Sequence, residues 1–278
     1  MKNFVDYKWL MENMDKDNLI ILDARAGLKD PEKGLNAYKK GHIKGAQFVS
    51  LEEIMTGKVS TYGGRHPLPD LKEFTDHMMN LGVDDDSIVI IYDDGNIAMA
   101  GRLWWLLKYI GKEDVFILEG GISKWMDNNG EITTKVPKIN RSNSLSLNIN
   151  KRMNVDMEYV KNATNSSTIA IVDARAYERY IGEVEPLDKI AGHIPKALNY
   201  PWMDLVKDGE IISLERLRDK FKSLNEYDEV IVHCGSGITG TVNYILMDEI
   251  GLSPRLYSGG YSDWISYEDN PVVTKDIL

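Results

Sequence analysis

The chain has 278 residues, 43% of them hydrophobic and 27% charged, and a formal net charge of −10. That length suits two domains of ordinary size better than a single core. The acidic balance excludes a nucleic-acid binder built on a basic stripe, and no apolar run approaches the roughly 20 residues that span a bilayer. The opening Met1-Lys2-Asn3-Phe4-Val5-Asp6 lacks the apolar core of a signal peptide, so the expectation is an unexported, cytoplasmic protein. One cysteine rules out an internal disulfide and a cysteine-based metal cluster. Five dispersed histidines add no metal-ligand spacing, so neither metal nor cofactor is expected. A small anionic substrate would be repelled by the overall charge and would need a locally positive site.

Taken in chain order, the elements occur twice. Val5-Asp6 recurs as Val155-Asp156, and Ile21-Leu22-Asp23-Ala24-Arg25 recurs as Ile171-Val172-Asp173-Ala174-Arg175. Gly41-His42-Ile43 returns as Gly192-His193-Ile194, and Ile88-Val89-Ile90-Ile91 pairs with Val230-Ile231-Val232. Leu118-Glu119-Gly120-Gly121 matches Tyr257-Ser258-Gly259-Gly260, and Trp125 matches Trp264. Matches in one order identify an internal duplication. The runs 20–22, 88–92, 169–172 and 229–233 are short, β-branched and continuous, as in strands buried on both faces. Amphipathic stretches over 70–81 and 213–224 predict helices between them. Alternating β and α elements imply a parallel sheet wrapped by helices in each copy. The predicted division is 1–136, a polar Ser- and Asn-rich linker at 137–151, and 152–278. Within the linker, the alternation of Leu145, Leu147 and Ile149 is compatible with an extended stretch.

The sharpest feature is Val230-Ile231-Val232-His233-Cys234-Gly235-Ser236-Gly237-Ile238-Thr239-Gly240. A buried strand delivers Cys234 to its carboxyl end, where ligands bind in open parallel sheets. A short glycine-containing loop follows, and then a helix over 241–250. Backbone N–H groups of Gly235, Gly237, Ile238 and Thr239 can form an anion nest, reinforced by the helix N-terminus. Such settings favour a reactive thiolate. The competing reading is a buried structural cysteine beside a tight turn. In the first copy Asp93 takes the position of Cys234, and a carboxylate cannot serve as a soft sulfur nucleophile, so that half is chemically silent.

These paired segments, the six-residue loop 234–239 and the repeated Gly-Gly…Trp resemble the rhodanese family over nearly the whole chain. The resemblance implies two tandem α/β domains, each a mostly parallel sheet flanked by helices. It also implies transfer of a sulfane sulfur through a cysteine persulfide. The loop Cys-Gly-Ser-Gly-Ile-Thr is similar to that of the 3-mercaptopyruvate sulfurtransferases, whereas thiosulfate-using members carry basic residues just after the cysteine. By the same resemblance, Ser236, His66 in Gly64-Arg65-His66-Pro67-Leu68-Pro69, and Glu52, where the family usually has Asp, form a proton-transfer set. Arg179 matches the substrate-binding arginine. A second family arginine is missing from the stretch 183–189, which leaves Lys189 as a substitute point charge.

Residues present in both copies fit structural roles better. Asp23, Arg25, Asp173 and Arg175 read as loop-bracing ion pairs, His42 and His193 as framework, and Trp125 and Trp264 as core. The expected partners are a small anionic sulfur donor and a thiol or thioredoxin-like acceptor. The rivals are thiosulfate as donor, a non-catalytic persulfide-sensing module, and phosphate chemistry on the same scaffold. The last is disfavoured because Gly240 stands where a phosphate-clamping arginine would close the loop.

Overall fold

The computed structural model describes residues 1–275. The chain divides into two compact units. The first holds residues 1–57, 69–150 and 208–210; the second holds 58–68, 151–207 and the chain from Ile211 on.

In the first unit, five parallel strands lie in the order Phe4–Val5, Val115–Leu118, Ile88–Tyr92, Leu19–Asp23, Gln47–Phe48. In the second the order is Asn154–Val155, Arg255–Tyr257, Glu229–His233, Ile169–Asp173, Leu198–Asn199, again parallel throughout. The register repeats too: Asp23 stands opposite Tyr92 as Asp173 stands opposite His233. The β-branched runs seen in the sequence therefore occupy the two central strands of each sheet, where both faces are covered and no polar alternation is tolerated.

The repeated Val-Asp pairs have a local cause. Asp6 caps the helix Tyr7–Asn13 by accepting from Trp9 N, and Asp156 caps Met157–Ala163 by accepting from Tyr159 N. Asp70 caps Leu71–Asn80 in the same way. The stretch 213–224 breaks into an α-helix, Leu214–Lys220, capped by Ser213, and a 3-10 turn, Lys222–Glu226. The break falls at the fully buried Phe221, the C-cap of the α-helix. The helix after the cysteine runs Gly240–Glu249.

Residues 137–150 form no regular element and run along the first unit. Asn148 N donates to Ile110 O and Ser142 N to Met79 O, and Ser146 binds Asp85 through both its N–H and its hydroxyl. Leu145 is buried there, whereas Ile149 is exposed, so the apolar alternation does not mark a strand.

Both cores repeat. Ile21, Ile90, Leu118 and Trp125 pack in the first, and Ile171, Ile231, Tyr257 and Trp264 in the second. Arg25 binds Asp23 and Gly41 O; Arg175 binds Asp173 and Gly192 O. Burial pushes the Asp173 carboxyl up, but the charge and hydrogen bonds of Arg175 outweigh it and hold the group at about 2. His42 stacks on Tyr38 and bonds its carbonyl; His193 does the same on Tyr180. These side chains brace the turns after the second strand of each unit.

Candidate active site

In the first unit the residue after the central strand closes its own loop. Asp93 Oδ1 accepts from Gly95 N at 2.8 Å and Ile97 N at 3.2 Å, and Oδ2 accepts from Met99 N and Ala100 N at 3.1 Å. Loop and helix N–H groups thus converge on one buried carboxyl supplied by the chain itself. Burial pushes the Asp93 carboxyl above its usual range, against the pull of these donors. Asp93→Ala should leave these buried donors without an acceptor. The expected loss is about 3 kcal/mol or more, read as a lower denaturation midpoint, and an unchanged midpoint would count against it.

At the equivalent point of the second unit stands Cys234, 2% exposed, directly after the strand Glu229–His233. Its loop is held from outside by the start of the helix Gly260–Trp264. Tyr261 N donates to Cys234 O at 2.8 Å and Ser262 N to Gly235 O at 2.9 Å. Gly237 has φ +74°, and a Cβ there would lie 2.1 Å from Ser258 O. Gly260 has φ +64°, and a Cβ would lie 2.7 Å from Cys234 O. Only glycine fits either place, in conformation and in space. Ile238 is buried and its carbonyl accepts from Thr241 N and Oγ1. Thr239 is the N-cap position of the following helix.

A second segment of the same unit, 58–68, comes over this loop. Gly63 N donates to the buried Asp263 Oδ1 at 2.6 Å, and Arg65 N donates to Ser262 Oγ at 3.1 Å. Tyr62 stacks on Tyr267 at 4.5 Å. Gly64, at φ +78°, passes so close that a Cβ would lie 2.3 Å from Gly259 O. So fixed, the segment brings His66 Nδ1 to 2.8 Å from Ser236 Oγ.

Two guanidinium groups lie beside Gly235. A Cβ on that residue would be 2.9 Å from Arg65 Nη2 and 3.5 Å from Arg179 Nη2. Both are also held by carboxylates, Arg179 through the same Nη2. Glu185 grips Arg179 through Nε and Nη2, and also pairs with Arg175. Asp188, its side chain 2% exposed, accepts from Arg179 Nη2 at 2.9 Å and pairs with Arg65. Burial pulls the Arg65 guanidinium below its ordinary value, while the charge of Cys234 pushes the other way. A cavity of about 560 Å³ lies beside Arg65 and Asp188, lined also by Thr61, Lys189, Ser262 and Ser266.

The structure therefore brings together Cys234, Gly235, Ser236, Gly237, Ile238, Thr239, His66 and Arg179 from the sequence-derived set. Lys189 is exposed and, with Arg65 and Asp188, lines the cavity. Glu52 belongs to the first unit, exposed on the turn that follows Gln47–Phe48. Sequence reasoning missed Arg65, Asp188 and Glu185. The one available signal was the position of Arg65, a cation immediately before His66. Among the described residues no cluster of histidine, cysteine and carboxylate groups could hold a metal, and no helix is long and apolar enough to cross a membrane.

Comparison with known proteins agrees with this architecture. The family model for the rhodanese-like domain matches twice, over residues 6–128 and 156–267. A Pseudomonas aeruginosa protein named "Probable 3-mercaptopyruvate sulfurtransferase" is 37% identical over 96% of both chains. A mouse thiosulfate sulfurtransferase is 29% identical over 94% of this chain and 91% of its own. The crystal structure of Escherichia coli SseA, titled as the "Rhodanese" fold of 3-mercaptopyruvate sulfotransferases, superposes with a TM-score of 0.83 at 33% identity. It covers 94% of this chain and 100% of the other. With both halves matched by one domain family and these relatives aligned along nearly the full length, the chain belongs to the rhodanese family.

Proposed function

We propose that the chain is a sulfurtransferase that carries a sulfane sulfur from 3-mercaptopyruvate to a thiol acceptor as a persulfide on Cys234. The observation that carries this reading is the 2.8 Å contact of His66 with Ser236, two residues after the only cysteine. In the first half-reaction the Cys234 thiolate attacks the donor's thiol sulfur. An S–S bond forms and the donor's C–S bond breaks, its electron pair passing into the enolate of pyruvate. The proton from the donor thiol ends on the enolate carbon, so enzyme-S⁻ and mercaptopyruvate give enzyme-S-S⁻ and pyruvate with charge conserved. Ser236 and His66 relay that proton. Arg179 orients the donor carboxylate. Loop N–H groups of Gly235, Gly237, Ile238 and Thr239 steady the persulfide anion, as preorganised donors do for developing charge.

In the second half-reaction a thiol, or a thioredoxin-like dithiol, attacks the outer sulfur and restores the thiolate. A reducing setting such as the cytoplasm suits a single catalytic cysteine that must stay reduced between turnovers. A second donor, thiosulfate, is suggested by the activity named for the mouse relative. Two covalent half-reactions require ping-pong kinetics. Parallel double-reciprocal lines are the expected result when donor and acceptor are varied. Intersecting lines would show both substrates bound together and contradict the persulfide route.

A further inference from the structure

We propose that Arg65 is the second arm of the donor-carboxylate clamp, and that Asp188, which joins it to Arg179, sets the clamp's charge so that it prefers a monocarboxylate to a dianion. This rests on the sulfurtransferase reading of the site.

The stretch 183–189 contains no arginine, and the second guanidinium found beside Gly235 comes from another segment. Lys189 is exposed and lines the outer cavity. Arg65 arrives instead from the segment 58–68, fixed by Asp263 and Ser262. Its Nη2 and the Nη1 and Nη2 of Arg179 come within 2.9–3.6 Å of where a Gly235 side chain would begin. Two planar guanidiniums beside one point suit a planar carboxylate, Arg65 meeting it through Nη2 and Arg179 through Nη1, since Arg179 Nη2 is already engaged by Glu185 and Asp188. The absence of a side chain at Gly235 leaves the room.

The charge of this clamp is already balanced. Arg65, Arg175 and Arg179 carry three positive charges; Asp173, Glu185 and Asp188 supply three negative ones at ion-pair distance. Donors aimed from a neutral cluster hold one negative charge well. A dianion such as thiosulfate brings an extra charge to a largely buried site with no net positive field to offset its desolvation. Asp188 is then a positioning residue that also fixes specificity. Replacing it with the isosteric neutral amide leaves the cluster one charge positive and should favour the dianion.

The test is a set of variants read by steady-state kinetics and by binding. Arg65→Gln is expected to raise KM for 3-mercaptopyruvate about 10- to 100-fold, with kcat changed less than about threefold. Arg65→Lys, which keeps the charge and loses the fork, should fall between. Asp188→Asn is expected to raise the ratio of kcat/KM for thiosulfate over 3-mercaptopyruvate by about tenfold or more. An Arg65→Gln enzyme that keeps its KM within a factor of about two would overturn the clamp, and an unchanged donor ratio in Asp188→Asn would overturn the charge argument. Calorimetric titration of 3-mercaptopyruvate into Cys234→Ser, with and without Arg65→Gln, separates this proposal from the reaction itself. Binding that needs Arg65, without sulfur loading of the native protein, would uphold the clamp and remove the assigned reaction. Loading that survives Arg65→Gln with unaltered binding would do the reverse.

Discussion

Replacing Cys234 by serine is expected to lower sulfur transfer by on the order of 10⁴-fold or more with every donor. The hydroxyl occupies nearly the same space at the end of Glu229–His233, so the loop, held by Tyr261 N and Ser262 N, should keep its shape. What disappears is the soft, polarizable nucleophile. An alkoxide at neutral pH is too scarce, and too poor a partner for sulfur, to replace it. Because the first unit places a carboxylate at the equivalent position, no other residue in either loop can take over. The check is a steady-state assay with 3-mercaptopyruvate and with thiosulfate. Residual activity above about 1% would mean that sulfur travels by a route that avoids this cysteine.

His66→Ala carries the next largest effect, an expected fall in kcat for 3-mercaptopyruvate of about 10²- to 10⁴-fold, the usual worth of a positioned proton relay. The cause is specific to the donor. Pyruvate leaves as a carbanion equivalent that must be protonated, whereas sulfite leaving thiosulfate is stable as an anion. Cyanide-dependent turnover of thiosulfate should therefore change by no more than about threefold in the same variant. Ser236→Ala should resemble His66→Ala, and the double variant should be little worse than either single one, since one relay is lost only once. Equal losses with both donors would assign His66 a structural role instead.

Much of this arrangement is legible in the chain because its causes are local. Continuous β-branched runs become central strands since both sheet faces are covered, and Asp6, Asp70 and Asp156 start helices by capping them. The duplication itself reveals which positions serve the scaffold. Asp23 with Arg25 and Asp173 with Arg175 form the same buried pair in both copies, while Cys234 has Asp93 as its counterpart.

The rest depends on contacts that spacing does not encode. Arg65 reaches Gly235 only because Gly63 and Arg65 are tied by hydrogen bonds to Asp263 and Ser262, about 200 residues later in the chain. Asp188 sits in the stretch 183–189, where only the charge of Lys189 draws notice in the sequence. Its side chain is buried because two guanidiniums claim the carboxylate, and a charge is tolerated inside only when so paired. The polar run 137–151 reads as a linker, and the bonds by which Ser142, Ser146 and Asn148 tie it to the first unit reach partners tens of residues earlier.

Intact mass of the reduced protein after brief incubation with 3-mercaptopyruvate, compared with Cys234→Ser treated alike, tests the central claim most directly. The expected result is a gain of one sulfur atom in the native protein, absent from the variant and reversed by a thiol. No gain in the native protein, or an equal gain in Cys234→Ser, would contradict a persulfide on Cys234.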